Sequence, residues 1–217
     1  ISLLINQKEK KSIIWVARLI NLKHPELAIE MADFLKKSGI HFSLKIIGDG
    51  EMKKCIMDQI RQRKLEDCIE MLGTKSPDEV RRYMEKSEIF IFTSDFNEGW
   101  GAVLNEAMNS ACAVVVSHAI GAVPFLIENW KNGIIYKQND KQGLFSAVKW
   151  LLLHDNERKS FSKEAYYTIL NHWNATIAVE RLVKIIQKIQ NNQNSISLYQ
   201  DGPCSKAPIL KNNWFKT

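Results

Sequence analysis

Along the chain, short apolar runs alternate with longer stretches in which apolar residues return every three or four positions. The runs at 12–16, 43–47, 68–72, 89–93, 113–117 and 133–136 predict strands. Their Ile, Val, Phe and Leu cluster with little polar alternation, as in strands covered on both faces. Helical spacing fills the intervals. One helix is opened by Pro25, carries Leu27, Ala28, Met31, Phe34 and Leu35 on one side and is closed by Gly39. Others are predicted at 51–62, 77–86 and 102–110, and after the last strand at 141–154, 156–171 and 175–190. This alternation predicts an α/β fold with a parallel sheet of about six strands and helices on both faces. Residues 1–190 read as one domain. Residues 191–217 lose the pattern, and this irregular tail, with Ile209, Leu210, Trp214 and Phe215 as its apolar anchors, is expected to be mobile or to dock outside this chain. Asn174-Ala175-Thr176 has the form of a glycosylation sequon, but directly before a helix Asn174 reads as an N-cap.

Composition narrows the partners. The 217 residues carry 30 Lys and Arg against 24 Asp and Glu, a net charge of +6, which favours anionic ligands or an anionic membrane surface. No basic arm or Arg-rich stripe calls for nucleic acid. The apolar runs at 89–92 and 111–116 fall far short of the roughly 20 residues of a membrane span. Cys55, Cys68, Cys112 and Cys204 lack a CxxC spacing, so a reducing, cytoplasmic setting and no zinc site are expected. The chain starts at Ile1 without a signal-peptide pattern and reads as a piece of something longer.

A doubly wound sheet binds ligands beyond the carboxyl ends of its strands. After the first run, Arg18 and Lys23 stand five residues apart between a strand end and a helix start. Two cations there suit a phosphate or diphosphate, although a solvated charged loop is the commoner source of such spacing. After the second run, Gly48-Asp49-Gly50 allows a tight turn. It lacks the third glycine of a dinucleotide fingerprint, and Asp49 reads as a cap for the next helix. After the fourth run comes the block Thr93 to Met108, with Glu98 in a loop flanked by Gly99 and Gly101, and Glu106 eight positions further on in the early turns of a helix. Glu106 then lies only roughly 6 to 8 Å along the helix that begins near Ala102, so both carboxylates can face one ligand. A carboxylate can accept from neighbouring sugar hydroxyls, and bare glycine backbone can approach an anionic or hydroxyl-rich group. The histidines carry less: His24 stands beside Lys23 within reach of a phosphate, His118 ends a strand near the cleft, and the others read as structural or solvated.

In this order, Val16-Ala17-Arg18-Leu19 with Lys23, Ile46 to Gly50, Leu72-Gly73-Thr74, and Glu98-Gly99-Trp100-Gly101 through Glu106-Ala107-Met108 resemble the carboxyl-terminal, donor-binding domain of retaining glycosyltransferases of family 4, the glycosyl transferases group 1. The last block matches the E-x7-E motif of that family, and Val114 to Ser117, Gly121, Pro124 and Asn132-Gly133 fit the same template. The resemblance runs from about residue 12 to 189 and implies a Rossmann-like parallel sheet forming one half of a GT-B fold. It implies that Arg18 and Lys23 bind the diphosphate of a nucleotide sugar, with a UDP-sugar as the expected donor. Glu106 would take the ribose hydroxyls, and Glu98 with Gly99, Trp100 and Gly101 would hold the transferred sugar. The loop at Thr74 and Lys75 would seat the base. It further implies no metal or other cofactor in this domain, a glycan or lipid-linked acceptor, and an amino-terminal acceptor domain not contained in these 217 residues, without which the chain would transfer little. A non-catalytic nucleotide-sugar binding module and a GT-B epimerase are the competing readings, and a nicotinamide oxidoreductase the weakest. The sequence departs from the family pattern in Trp100 for Phe, in Phe125 where Glu is common, and in Ile120-Gly121 for a Gly-Gly pair.

Overall fold

The computed structural model describes residues 1–191, 199–206 and 209–216. Among them six strands, β1 (Ser12–Val16), β2 (Ser43–Ile47), β3 (Ile69–Gly73), β4 (Ile89–Phe92), β5 (Ala113–Ser117) and β6 (Ile134–Tyr136), form one sheet in the order β3-β2-β1-β4-β5-β6. Every pairing is parallel. The chain builds outward from β1 to β3, returns to the other side of β1 and builds outward again to β6. This reversal opens a crevice beyond the carboxyl ends of β1 and β4.

The helices are α1 (Ser2–Asn6), α2 (Pro25–Lys37), α3 (Lys53–Gln62), α4 (Pro77–Lys86), α5 (Val103–Asn109), α6 (Val123–Leu126), α7 (Lys141–Leu153), α8 (Asp155–Asn171) and α9 (Ala175–Gln190). Successive strand residues feed two apolar layers. Ile13, Trp15, Leu44, Ile46, Ile89 and Ile91 pack with α2, α3 and α7. Ile14, Phe90, Phe92, Val114 and Val116 pack with α4, α5, α6 and α8. Each such side chain taken fully out of water contributes about 1.5–3 kcal/mol, which is why the expected two-sided covering holds. Local signals set the helix ends. Gly39, at φ +69°, lets Ile40 N–H reach Leu35 O and Gly39 N–H reach Lys36 O, a Schellman closure of α2. Ser76 and Glu79 form a capping box on α4, and Asn174 caps α9 through a hydrogen bond from Ile177 N–H.

Several expectations need correction. Asp49 does not cap α3: its carboxylate accepts from Gly50 N–H (2.8 Å) and pairs with Lys53 (2.6 Å), while residues 51–52 form a turn before the helix starts at Lys53. β3 lies one residue later than predicted and runs on to Gly73, which pairs with Ile47 after a register slip between Ile46 and Ile47. α1, α6 and a 3-10 turn at Asn21–Lys23 are too short to show a period. In the tail, Trp214 and Phe215 pack on the α5/α8 layer of their own domain. Trp214 Nε1–H donates to His118 O and His118 Nε2 to Asn212 O, both at 3.1 Å. Residues 192–198, 207–208 and 217 of that tail lie outside the described residues.

Two buried charged groups stabilise the amino end of the sheet. The Lys8 ammonium is shared among Met84 O, Glu85 O, Ser87 O and Ser110 O at 2.7–3.2 Å, closing the ends of α4 and α5 together. Burial lowers its pKa from the usual lysine value. Arg158, 3% exposed, pairs with Glu88 at 2.7 Å, and Glu88 also accepts from Lys11 N–H at 2.7 Å.

Candidate functional site

The loop after β1 lies on the turn after β2. Ala17 N–H donates to Ile47 O (3.2 Å), Leu19 N–H to Asp49 O (2.9 Å) and Met52 N–H to Leu19 O (3.0 Å). A Cβ on Gly48 would sit 1.8 Å from Ala17 O, and one on Gly50 2.5 Å from Leu19 O. The two glycines are therefore a bed for the Arg18 loop, a role beyond turn formation. Arg18 projects from it exposed, with no polar partner among the described residues.

The loop after β4 is stitched to the first loop across the crevice. Asp95 N–H donates to Leu22 O at 3.0 Å. Thr93 Oγ1 donates to Lys23 O at 2.6 Å and accepts from Trp15 Nε1–H at 2.9 Å, which draws Thr93 out of β4. This places the Lys23 ammonium in an ion pair with Glu98, at 15% and 12% side-chain exposure. Ser94 Oγ donates to the same Glu98 oxygen at 2.9 Å, and the ammonium also lies 5.7 Å from the centre of the Phe92 ring, where the ring quadrupole favours a cation. His24 turns to carboxylates, with Nδ1 at 2.7 Å from Glu26 and Nε2 at 3.4 Å from Asp95.

The glycines of the β4 loop differ. A Cβ on Gly101, at φ +78°, would strike Phe92 at 2.7 Å, whereas one on Gly99 meets nothing within 4 Å. Gly101 is required by the fold, and Gly99 presents open backbone to the crevice. Residues 4–168 of the chain match the family of glycosyl transferases group 1. The chain belongs to that family. It is 30% identical over 182 residues to the amylovoran biosynthesis glycosyltransferase AmsK of Erwinia amylovora, covering 82% of this chain and 44% of that relative. The chain thus spans less than half the length of that glycosyltransferase. Among solved structures, the C-terminal domain of the group 1 family protein LpcC from Francisella tularensis superposes with a TM-score of 0.67 at 24% identity, covering 76% of this chain and 87% of that one. S. aureus TarM, solved with fondaparinux, α-GlcNAc-glycerol and UDP, gives 0.70 at 24% identity, covering 87% and 36%. At such identity these likenesses show the fold: this sheet is the carboxyl-terminal half of a GT-B architecture.

The other candidate residues of this group 1 chain have surroundings of their own. Trp100 is 39% exposed. Its Nε1–H donates to Asn105 Oδ1 at 2.9 Å, and its ring contacts Phe125 and Trp173 at 5.7 and 5.3 Å between centroids. Sequence reasoning had no signal for Trp173, which is 73 positions away from Trp100 in the chain. Glu106 faces the start of α4, where it borders a cavity of about 220 Å³ with Pro77, Asp78 and Arg81. Partial loss of water raises its pKa above the ordinary carboxylate value. The structure joins Lys23 to Glu98 but gives Glu98 and Glu106 separate surroundings. Exposed Thr74 and half-buried Lys75 follow β3, where Gly73 O accepts from Gly48 N–H at 2.9 Å. No cluster of three or more His, Cys, Asp or Glu side chains suited to a metal occurs among the described residues, and no helix there is long and apolar enough to cross a membrane.

Proposed function

We propose that the chain is the donor-binding half of a retaining glycosyltransferase that moves a sugar from a UDP-sugar to a glycan or lipid-linked acceptor. The observation that carries this reading is the Lys23–Glu98 ion pair where the strand order reverses, with Arg18 exposed on the same loop after β1. Arg18 and Lys23 take the diphosphate. As the bond between sugar and phosphate breaks, negative charge grows on the leaving diphosphate, and two placed cations stabilise the transition state more than the ground state. Lys23 exchanges its Glu98 partner for phosphate oxygens, freeing Glu98, beside the open Gly99 backbone, for the hydroxyls of the transferred sugar. Glu106 takes the ribose hydroxyls, and Thr74 with Lys75 borders the base. The loops close on the donor without any metal. A second domain supplies the acceptor and completes the cleft, and the enzyme works in the cytoplasm or at a membrane surface.

Calorimetric titration with UDP, GDP, ADP and one sugar conjugate of each tests the reading. One nucleotide series is expected to bind without added metal, and Arg18→Ala or Glu106→Ala is expected to weaken it roughly tenfold, about 1.4 kcal/mol. Failure of all three series, in this chain and in a longer protein containing it, would overturn the assignment. Robust transfer by this chain alone would overturn the need for a second domain.

A further inference from the structure

A cavity of about 510 Å³ lies between α6 and α8, and neither Lys23 nor Glu98 lines it. Phe125, Tyr167 and Trp173 give it aromatic walls, and Glu128, Glu164 and Asn171 give it carboxylates and an amide. Its volume is in the range of small-molecule sites, roughly 300–1,000 Å³. Aromatic faces beside hydroxyl acceptors fit one ligand chemistry well: a pyranose lays its C–H face on a ring while its hydroxyls donate to carboxylate and amide oxygens.

The walls of this cavity reach the reaction loop. Trp100, Phe125 and Trp173 form a mutual cluster, with Phe125 and Trp173 6.2 Å apart between centroids. Trp100 belongs to the loop after β4, and that loop is tied to the start of α6 by hydrogen bonds from Gly121 N–H to Gly99 O and from Ala122 N–H to Trp100 O, both 3.0 Å. On its other side Phe125 borders a second cavity of about 220 Å³ with Phe96, His118 and Trp214. An aromatic surface thus runs from α8, past the Gly99 backbone, to the docked tail. The Trp100 and Phe125 rings stack at 5.7 Å and 29°.

We propose that the Trp100–Phe125–Trp173 surface and the cavity behind it form a saccharide-binding subsite for a neutral glycan of one or two rings. That this glycan is the acceptor or the product chain rests on the transferase reading; the saccharide site itself does not.

The test is saturation-transfer NMR together with tryptophan fluorescence on the full chain, using maltose, N,N′-diacetylchitobiose and lactose as probes, sorbitol as the polyol control and octyl alcohol as an apolar one. At least one saccharide is expected to bind saturably and quench tryptophan emission. Trp173→Ala and Phe125→Glu are each expected to weaken it roughly tenfold or more, with UDP affinity unchanged. Trp173→Phe, which keeps a ring, should retain most of the binding; it carries the test together with Phe125→Glu if circular dichroism shows Trp173→Ala unfolded. The proposal falls if no saccharide binds, if binding is indifferent to the variants, or if only the apolar control saturates the site. Saccharide binding without any nucleotide binding, in this chain and in a longer protein containing it, would keep the subsite and sink the transferase reading; the reverse result would sink the subsite alone.

Discussion

Replacing Gly48 by Ala tests whether the bed under the Arg18 loop sets the geometry of the site. The new Cβ would lie 1.8 Å from Ala17 O, and Cβ contacts begin only near 3.0 Å, so the two backbones must part by about 1.2 Å. Gly48 also has φ +142°, where an L-residue costs roughly 1–3 kcal/mol. Parting the backbones stretches the bonds from Ala17 N–H to Ile47 O and from Leu19 N–H to Asp49 O, each worth about 1 kcal/mol net. The combined loss is about 3–5 kcal/mol, or roughly 6–20 °C in Tm for a chain of this size. A displacement of about 1 Å at a positioning element costs on the order of 10²-fold in rate, so UDP affinity and transfer by the complete enzyme should fall well beyond the loss in stability. Thermal denaturation followed by circular dichroism, with calorimetric UDP titration below the transition, measures both. Gly99→Ala is the control: its Cβ meets nothing within 4 Å, so Tm should stay within a degree or two while the sugar conjugate, lying over that backbone, binds less well. A Gly48→Ala protein with unchanged Tm and unchanged UDP affinity would refute the reasoning.

Glu98→Gln should raise UDP affinity, by roughly threefold to tenfold, because Lys23 no longer has to leave a carboxylate and phosphate no longer meets one; the UDP-sugar should bind less well, and calorimetry that found UDP weakened would contradict the exchange of partners. His118 has a pKa lowered from its ordinary 6.5, chiefly by burial, with a bond to Asn212 opposing and Lys137 adding. Its Nδ1 accepts from Gln138 N–H at 3.0 Å, which needs the neutral ring. The folded state therefore resists a proton that the unfolded state accepts: stability is full above pH 6.5 and falls as pH drops through the folded pKa below it. Trp214 emission should shift toward that of a solvated indole over this acid range, and a Trp214→Phe protein should lose the signal; emission flat between pH 7 and 5 would contradict the linkage. Arg158→Leu leaves Glu88 buried without its ion pair and should cost about 3–5 kcal/mol in urea denaturation, with part recovered in Glu88→Leu/Arg158→Leu; a midpoint unchanged in the single variant would show the pair to be dispensable.

The strands and the longer helices were legible because burial on both faces imposes an unbroken apolar composition on each strand and a three-to-four period on each helix. The Glu98 to Met108 block stood out in the sequence for the opposite reason, since glycines and carboxylates in a strand-to-helix loop have no packing purpose that explains them all. What escaped was long-range or aperiodic. Lys8 lies in the stretch Lys8 to Lys11, which is charged at every position and reads as solvated until α4 and α5 close around it. Trp214 finds its partner 96 positions away, and no local pattern encodes such a contact. The Gly48 and Gly50 pair suggested a turn because a single sequence shows the turn and not the backbone lying against it.

The placement of Lys8 has a mechanical consequence. Its ammonium has three N–H donors for four carbonyls at the ends of α4 and α5, and it stands only four residues before β1, the strand at which the sheet reverses direction. Tension applied at the amino terminus would load these bonds together before reaching the β1 ladder. The first strand is thereby sheltered from pulling or thermal agitation of whatever precedes it, and with it the loop that carries Arg18.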